Sequence, residues 1–244
     1  MYWRGLSGGE WQYSLRLLHC WRSTLIGTIV VSILVVLGAL VMSASYSYTT
    51  RRALSVYIER ASRGDPYGAE TGQEQKPLKP ELAPAAESYV RTHPNFTSYH
   101  LLRALHDHYP ESYAHLPAAT RAAVLCSALA RVSDLNDWGT LDEPGAAYDS
   151  FSAKVLLKVG TEALPYLRLL LDDQNPAWVG GSEAAMASQM DQWRRADFAY
   201  RYASLILGCT PKFDPDPKKR DLEIERLKAR LDELLTEVYG GRLR

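Results

Sequence analysis

His106, Asp107 and His108 stand in a row, with His100, Glu111 and His115 nearby in the chain. Imidazole and carboxylate together make a ligand set for a transition metal. The spacing works against a ready site. Two residues apart on a helix, His106 and His108 point apart, and the chain would have to fold back at Pro110 to gather them. Solvated or capping histidines at a helix end are the expectation, and the zinc motif HExxH is missing from the sequence. A second group is Trp138, Asp142, Glu143, Tyr148 and Asp149, all in one loop. Paired carboxylates can pass protons to and from a substrate. They equally cap a neighbouring helix and solvate the loop. The stretch NPAWVGGSE (175–183) has two glycines but lacks GxxxxGK[ST], so it is not a phosphate cradle. Ser182 has no histidine in sequence reach to activate it. Asn95, Phe96 and Thr97 match a glycosylation acceptor, which matters only in a secretory pathway. No catalytic residue is assigned on these grounds, and no metal or other cofactor is expected.

Aromatic and guanidinium groups form a different cluster. Trp178, Trp193, Phe198, Tyr200 and Tyr202 crowd one region with Arg194, Arg195 and Arg201. Aromatic residues with Arg anchor many protein interfaces. They also fill helical cores with one polar atom turned outward. If there is a binding face, Trp178, Trp193, Arg194 and Arg195 are its candidates.

These residues need elements to hold them, and the first element is apolar. Residues 24–44 read TLIGTIVVSILVVLGALVMSA, without a charge. As a helix they span about 30 Å, the hydrocarbon thickness of a bilayer. Trp11, Tyr13 and Trp21 precede them, and Tyr46, Tyr48 and Tyr57 follow, as interface aromatics do. A cleaved signal peptide fits less well, because 23 residues precede the apolar core and that core is long. The segment lacks GxxxG, although Gly27, Ser32, Gly38 and Ser43 leave room for a second helix. Residues 1–23 are a tail whose part 11–22 suits an interfacial amphipathic helix. Residues 45–63 read as a juxtamembrane helix. Arginines flank both sides almost equally, so the positive-inside count nearly ties. The expectation is a single pass through the cell (inner) membrane, with the N-terminus cytoplasmic and the domain extracytoplasmic (periplasmic).

Residues 64–84 are rich in Pro, Gly and charge, which is linker composition. Residues 85–210 then follow helical periodicity. Helices are expected over 85–92, over 98–109 with Thr97 as cap, and from Pro117 to Val132. More are expected over 150–159, 161–173, 183–192 and 194–207, the last closed by Gly208. Residues 136–148 and 175–182 read as loops. Residues 211–244 carry one further helix, opened by Asp216 and Pro217. Its Ile224, Leu227, Leu231, Leu234 and Val238 follow 3-4 spacing. Packing on its own domain and pairing with a second copy both suit that stripe, and Leu227, Leu231 and Leu234 are the candidate contacts for pairing.

The first 63 residues hold seven Arg and two Glu, which leaves 21 basic and 26 acidic residues for the rest. A mildly acidic domain is a poor partner for nucleic acid. Cys20, Cys126 and Cys209 make neither a disulfide framework nor a CxxC zinc pattern. A Cys126–Cys209 bridge is one reading for an extracytoplasmic domain, and two buried small apolar side chains are the other.

Two stretches resemble HEAT-type helical repeats. Residues 160–173 (GTEALPYLRLLLDD) look like the second helix of such a repeat. Residues 195–208 (RADFAYRYASLILG) are similar to a first helix, with Asp197 and Arg201 where those repeats often place an Asp and an Arg. The resemblance covers residues 160–208, and no fixed period recurs along the chain. It implies an all-α, HEAT-like domain, with protein-binding surfaces and no chemistry of its own. The leading expectation is therefore a non-enzymatic, membrane-anchored accessory subunit or interaction protein of a larger membrane complex. It would meet other subunits through the helical domain and the transmembrane helix, with the lipid bilayer as its surroundings. Two alternatives stand beside it. One is a membrane-tethered, metal-dependent hydrolase using His106 and His108; the other is a homodimeric structural anchor joined through the C-terminal helix.

Overall fold

The computed structural model describes residues 8–63, 77–131, 138, 141, 151–177, 186 and 188–240. They are mostly helical, and no strand occurs among them. Helix α1 is Gly8–Arg63. It is the one described helix long and apolar enough to cross a membrane. Over Ser32–Glu59 it holds a stretch of mean hydropathy 1.5, none of it buried.

The chain divides into two compact units, Met1–Ala53 and Leu54–Arg244. The division falls inside α1. The last turns of that helix therefore do more than continue the apolar segment. Leu54 and Ala61 are buried in the second unit, with Tyr57 and Ile58 packed against its core.

The second unit continues with α2 (Ala83–Thr92), α3 (Tyr99–His108), α4 (Pro110–Ala114) and α5 (Ala118–Leu129). After them come α6 (Phe151–Val159), α7 (Leu164–Leu170), α8 (Arg195–Ile206) and α9 (Pro217–Gly240). Neighbours in sequence pack together: α2 on α3, α5 on α6, α7 on α8, and α9 on both α7 and α8. One core joins them, built from residues such as Leu102, Leu105, Leu125, Leu129, Leu156, Leu167, Phe198 and Tyr202.

Several starts differ from the sequence expectation, each for a local reason. The Pro/Gly linker does not run to residue 84. Leu78 is 1 % exposed, and the Tyr109 hydroxyl donates to its carbonyl, so an apolar side chain in a polar stretch pins the chain to the core. A 3-10 turn, Pro80–Leu82, then leads into α2 two residues early. Asn95, not Thr97, caps the next turn. Its carboxamide oxygen accepts from the Thr97 N–H at 3.0 Å and from the Thr97 hydroxyl at 2.6 Å. Pro117 precedes α5 as its cap, with extended backbone. The helix expected from residue 161 begins as a 3-10 turn, Gly160–Ala163. Of the helix expected over 183–192, residues 188–190 are helical and Asp191 and Gln192 form a turn. The remainder of that expectation lies outside the described residues, apart from Met186.

Candidate functional site

The densest chemistry in the described structure lies where α8, α9 and the segment before α8 converge. Asn175, Pro176 and Ala177 run beside Trp193, Arg194 and Arg195. The Ala177 N–H donates to the Trp193 carbonyl at 2.9 Å and the Arg195 N–H to the Asn175 carbonyl at 3.1 Å. The Trp193 N–H donates to the Ser188 carbonyl at 2.9 Å. These bonds fix the entry to α8, and they seat Trp193 in the core at 1 % exposure. Its ring meets Phe198 and Phe213 edge to face, at 6.1 and 6.0 Å between centroids.

Asp197 sits in the first turn of α8, where a carboxylate suits the positive end of the helix. It is 1 % exposed and accepts four hydrogen bonds. The Arg194 N–H donates at 2.8 Å, and the Arg194 guanidinium at 3.2 and 2.9 Å through Nε and Nη2. The Arg220 Nε donates at 3.1 Å. Arg194 also reaches Asp221 at 2.6 Å and the side chain of Gln174. Two guanidinium groups and two carboxylates thus close a neutral set. Burial alone would lower the Arg194 pKa, but Asp197 and Asp221 outweigh it and raise it.

Arg220, from the first turn of α9, is 3 % exposed. Each of its five N–H groups has an acceptor. Besides Asp197, these are the carbonyls of Asp214 at 2.8 Å, Pro215 at 2.9 Å, Asp191 at 2.8 Å and Gln192 at 3.0 Å. Its guanidinium carbon lies 4.7 Å from the Phe213 ring centre. A guanidinium saturated in this way has no donor left for a substrate, so its chemistry here is positional.

An exposed seam continues the same contact. Arg168 of α7 grips Asp232 of α9 with two bonds of 2.7 and 2.9 Å. Lys228 of α9 meets Asp172 at 2.6 Å. Asp232 is held below the usual carboxylate range by Arg168, and Asp172 by Lys228 and then Arg168. Burial would raise Asp173, but the Asn175 N–H groups and Arg195 prevail and lower it.

The residues expected to bind partners are placed unevenly. Trp178 lies outside the described residues. Trp193 is a core residue, not a surface anchor, because the 175–177 segment and Phe213 close over it. Arg194 is committed to Asp197, Asp221 and Gln174, and Arg195 pairs with Asp173 at 3.2 Å. Leu227 and Leu231 are buried against their own domain, together with Ile224, and Leu234 is half-buried. The stripe that could have paired two copies is thus covered by α7 and α8 of the same chain.

The histidines are dispersed. His106 Nδ1 lies 2.7 Å from Asp107, and its ring packs on Tyr113 and Phe151. His115 lies 3.7 Å from Glu87, and His108 neighbours Tyr109. Among the described residues no group of three or more His, Cys, Asp or Glu is placed to hold a metal ion. Trp138 is buried, with its carbonyl accepting from the Tyr202 hydroxyl at 2.6 Å. Asp142, Glu143, Tyr148, Asp149 and Ser182 lie outside the described residues. Cys126 and Cys209 are free thiols. Burial pushes Cys126 up to about 12, while Cys209 Sγ lies 3.1 Å from Arg230 Nη1.

Sequence reasoning missed Arg220 and Asp221. They sit in KKRDLE, which reads as a solvated charge run. A signal was present: Arg220 lies four residues before Ile224 and seven before Leu227, in phase with the apolar stripe. Compared with known proteins, the chain matches no family model, no curated protein and no solved structure.

Proposed function

We propose that this chain is a single-pass membrane protein whose helical domain serves as an accessory or assembly subunit of a larger membrane complex, without catalysis of its own. One observation carries the reading. A helix of membrane-crossing length, with its apolar side chains uncovered, is joined to a domain that has its own core. Apolar surface of that extent is unstable in water and calls for lipid or other apolar helices around it. Two further points support it. The buried Arg and Asp groups are engaged with one another in a structural network, and the described histidines are spread over separate contacts. Pairwise packing of consecutive helices suits the HEAT-like reading of 160–208 and the protein-binding role which that resemblance implies. The domain is assigned to the extracytoplasmic side, on the grounds that a lone N-terminal anchor before a large domain serves export.

The test is extraction of the native protein in mild detergent, followed by size separation and mass spectrometry of its fraction. Co-migration with a stable set of membrane proteins is the expected outcome. Migration alone, as monomer or dimer, would overturn the subunit reading.

A further inference from the structure

Three features around α9 are unusual together. Gln192 adopts φ 51°, a left-handed conformation that L side chains other than Asn and Asp rarely take. The neighbouring Trp193 indole N–H is buried and has no hydrogen-bond acceptor. Arg220 holds this stretch in place, since its Nη2 takes the Asp191 and Gln192 carbonyls. A strained residue and an orphaned buried donor are thus kept by a clamp from a different element. Backbone strain persists only where its surroundings over-determine it.

The clamp belongs to a terminal element on a turning point. Gly208 closes α8 at φ 71°, and residues 209–214 carry no regular structure before the bend at 215–216 and α9. Four ion pairs tie α9 down: Arg220 on Asp197, Asp221 on Arg194, Lys228 on Asp172 and Asp232 on Arg168. Its apolar contribution is the short stripe of Ile224, Leu227 and Leu231.

We propose that α9 is a strap with a docked and a released state, and that its release and the opening of 188–193 are one event. In the docked state Arg220 locks Gln192 in the left-handed region and lies on the Phe213 ring, which covers Trp193. On release Gln192 relaxes, and the Trp193 indole N–H reaches water. The inference stands independently of the subunit reading, because it concerns only the chain's own contacts.

Arg168 and Asp232 provide the test. Asp232 is twelve residues beyond Arg220, about 18 Å along the helix, and its pair is on the surface, so substitution there spares the core. Amide hydrogen exchange by mass spectrometry would be followed in the full chain in detergent micelles. α9 and 188–196 are expected to exchange at one common rate, faster than α5. Asp232→Arg alone and Arg168→Asp alone should each speed exchange in both segments by about fivefold, and the double reversal should return both toward the starting rate. If the single reversals speed α9 but leave 188–196 unchanged, the coupling is refuted. If α9 exchanges as slowly as α5, no released state exists short of global unfolding, and the strap is refuted as well.

Discussion

Arg220 is the residue on which most contacts converge. Arg220→Ala would remove the donor to four carbonyls and one of the two donors to Asp197 Oδ1. The protein should lose about 3–5 kcal/mol, the range for breaking a buried ion pair, read as a lower denaturant midpoint in detergent. Arg220→Lys should recover only a minor part, because one ammonium cannot reproduce a five-donor fork. Equal stability of Lys and Arg at this position would show that charge alone matters there. The sequence carried this residue's position but not its role. Phase with Ile224 and Leu227 places Arg220 on the inward face. A buried arginine requires five acceptors, however, and four of them are backbone carbonyls, whose direction is set by tertiary structure. Trp193 shows the same limit from the other side. Its composition suits an interface or a core, and the bonds from Ala177 and to Ser188 are what decide for the core.

At the scale of elements, periodicity located the longer helices and missed short α4 (Pro110–Ala114) and the 3-10 turns that launch several others. The 3-10 turns at Pro80–Leu82, Phe96–Ser98 and Gly160–Ala163 lack an apolar rhythm long enough to read. Asn95 and Thr97 both have capping chemistry, and only the backbone geometry chooses between them. α9 was the most legible helix, because its Asp216–Pro217 start and its 3-4 apolar spacing agree. Its seam predicts an acid response. Asp172 and Asp232 titrate below their ordinary range when docked, so their contribution to α9 is complete above about pH 4 and is lost as pH falls further. Exchange in α9 should hold steady from pH 5 to 8 once corrected for intrinsic rates, then rise below about pH 4; a rise centred near pH 6 would point to histidine instead. Gly208 offers a second check. A Cβ there meets nothing within 4 Å, so Gly208→Ala should be destabilising by only the left-handed backbone penalty, about 1 kcal/mol. A loss several times larger in the denaturation midpoint would mean that the turn also repacks.

For the whole molecule, composition and one apolar run foretold a mostly helical chain with, among the described residues, one helix long and apolar enough to cross a membrane, while partner and orientation were not encoded in any local pattern. A reporter fused after Arg244 would decide orientation, with extracytoplasmic activity expected and cytoplasmic activity reversing the assignment. In sequence, residues 64–76 join helix and domain, yet Leu54 before them and Leu78 after them belong to one core. Packing within the second unit therefore holds both sides of this stretch independently of the peptide bonds inside it. A protease site inserted between Gln73 and Glu74 should cut the polypeptide without parting the pieces, and the C-terminal fragment should still sediment with membranes. Length added there should matter little, since the entropy of closing a loop grows only with the logarithm of its length.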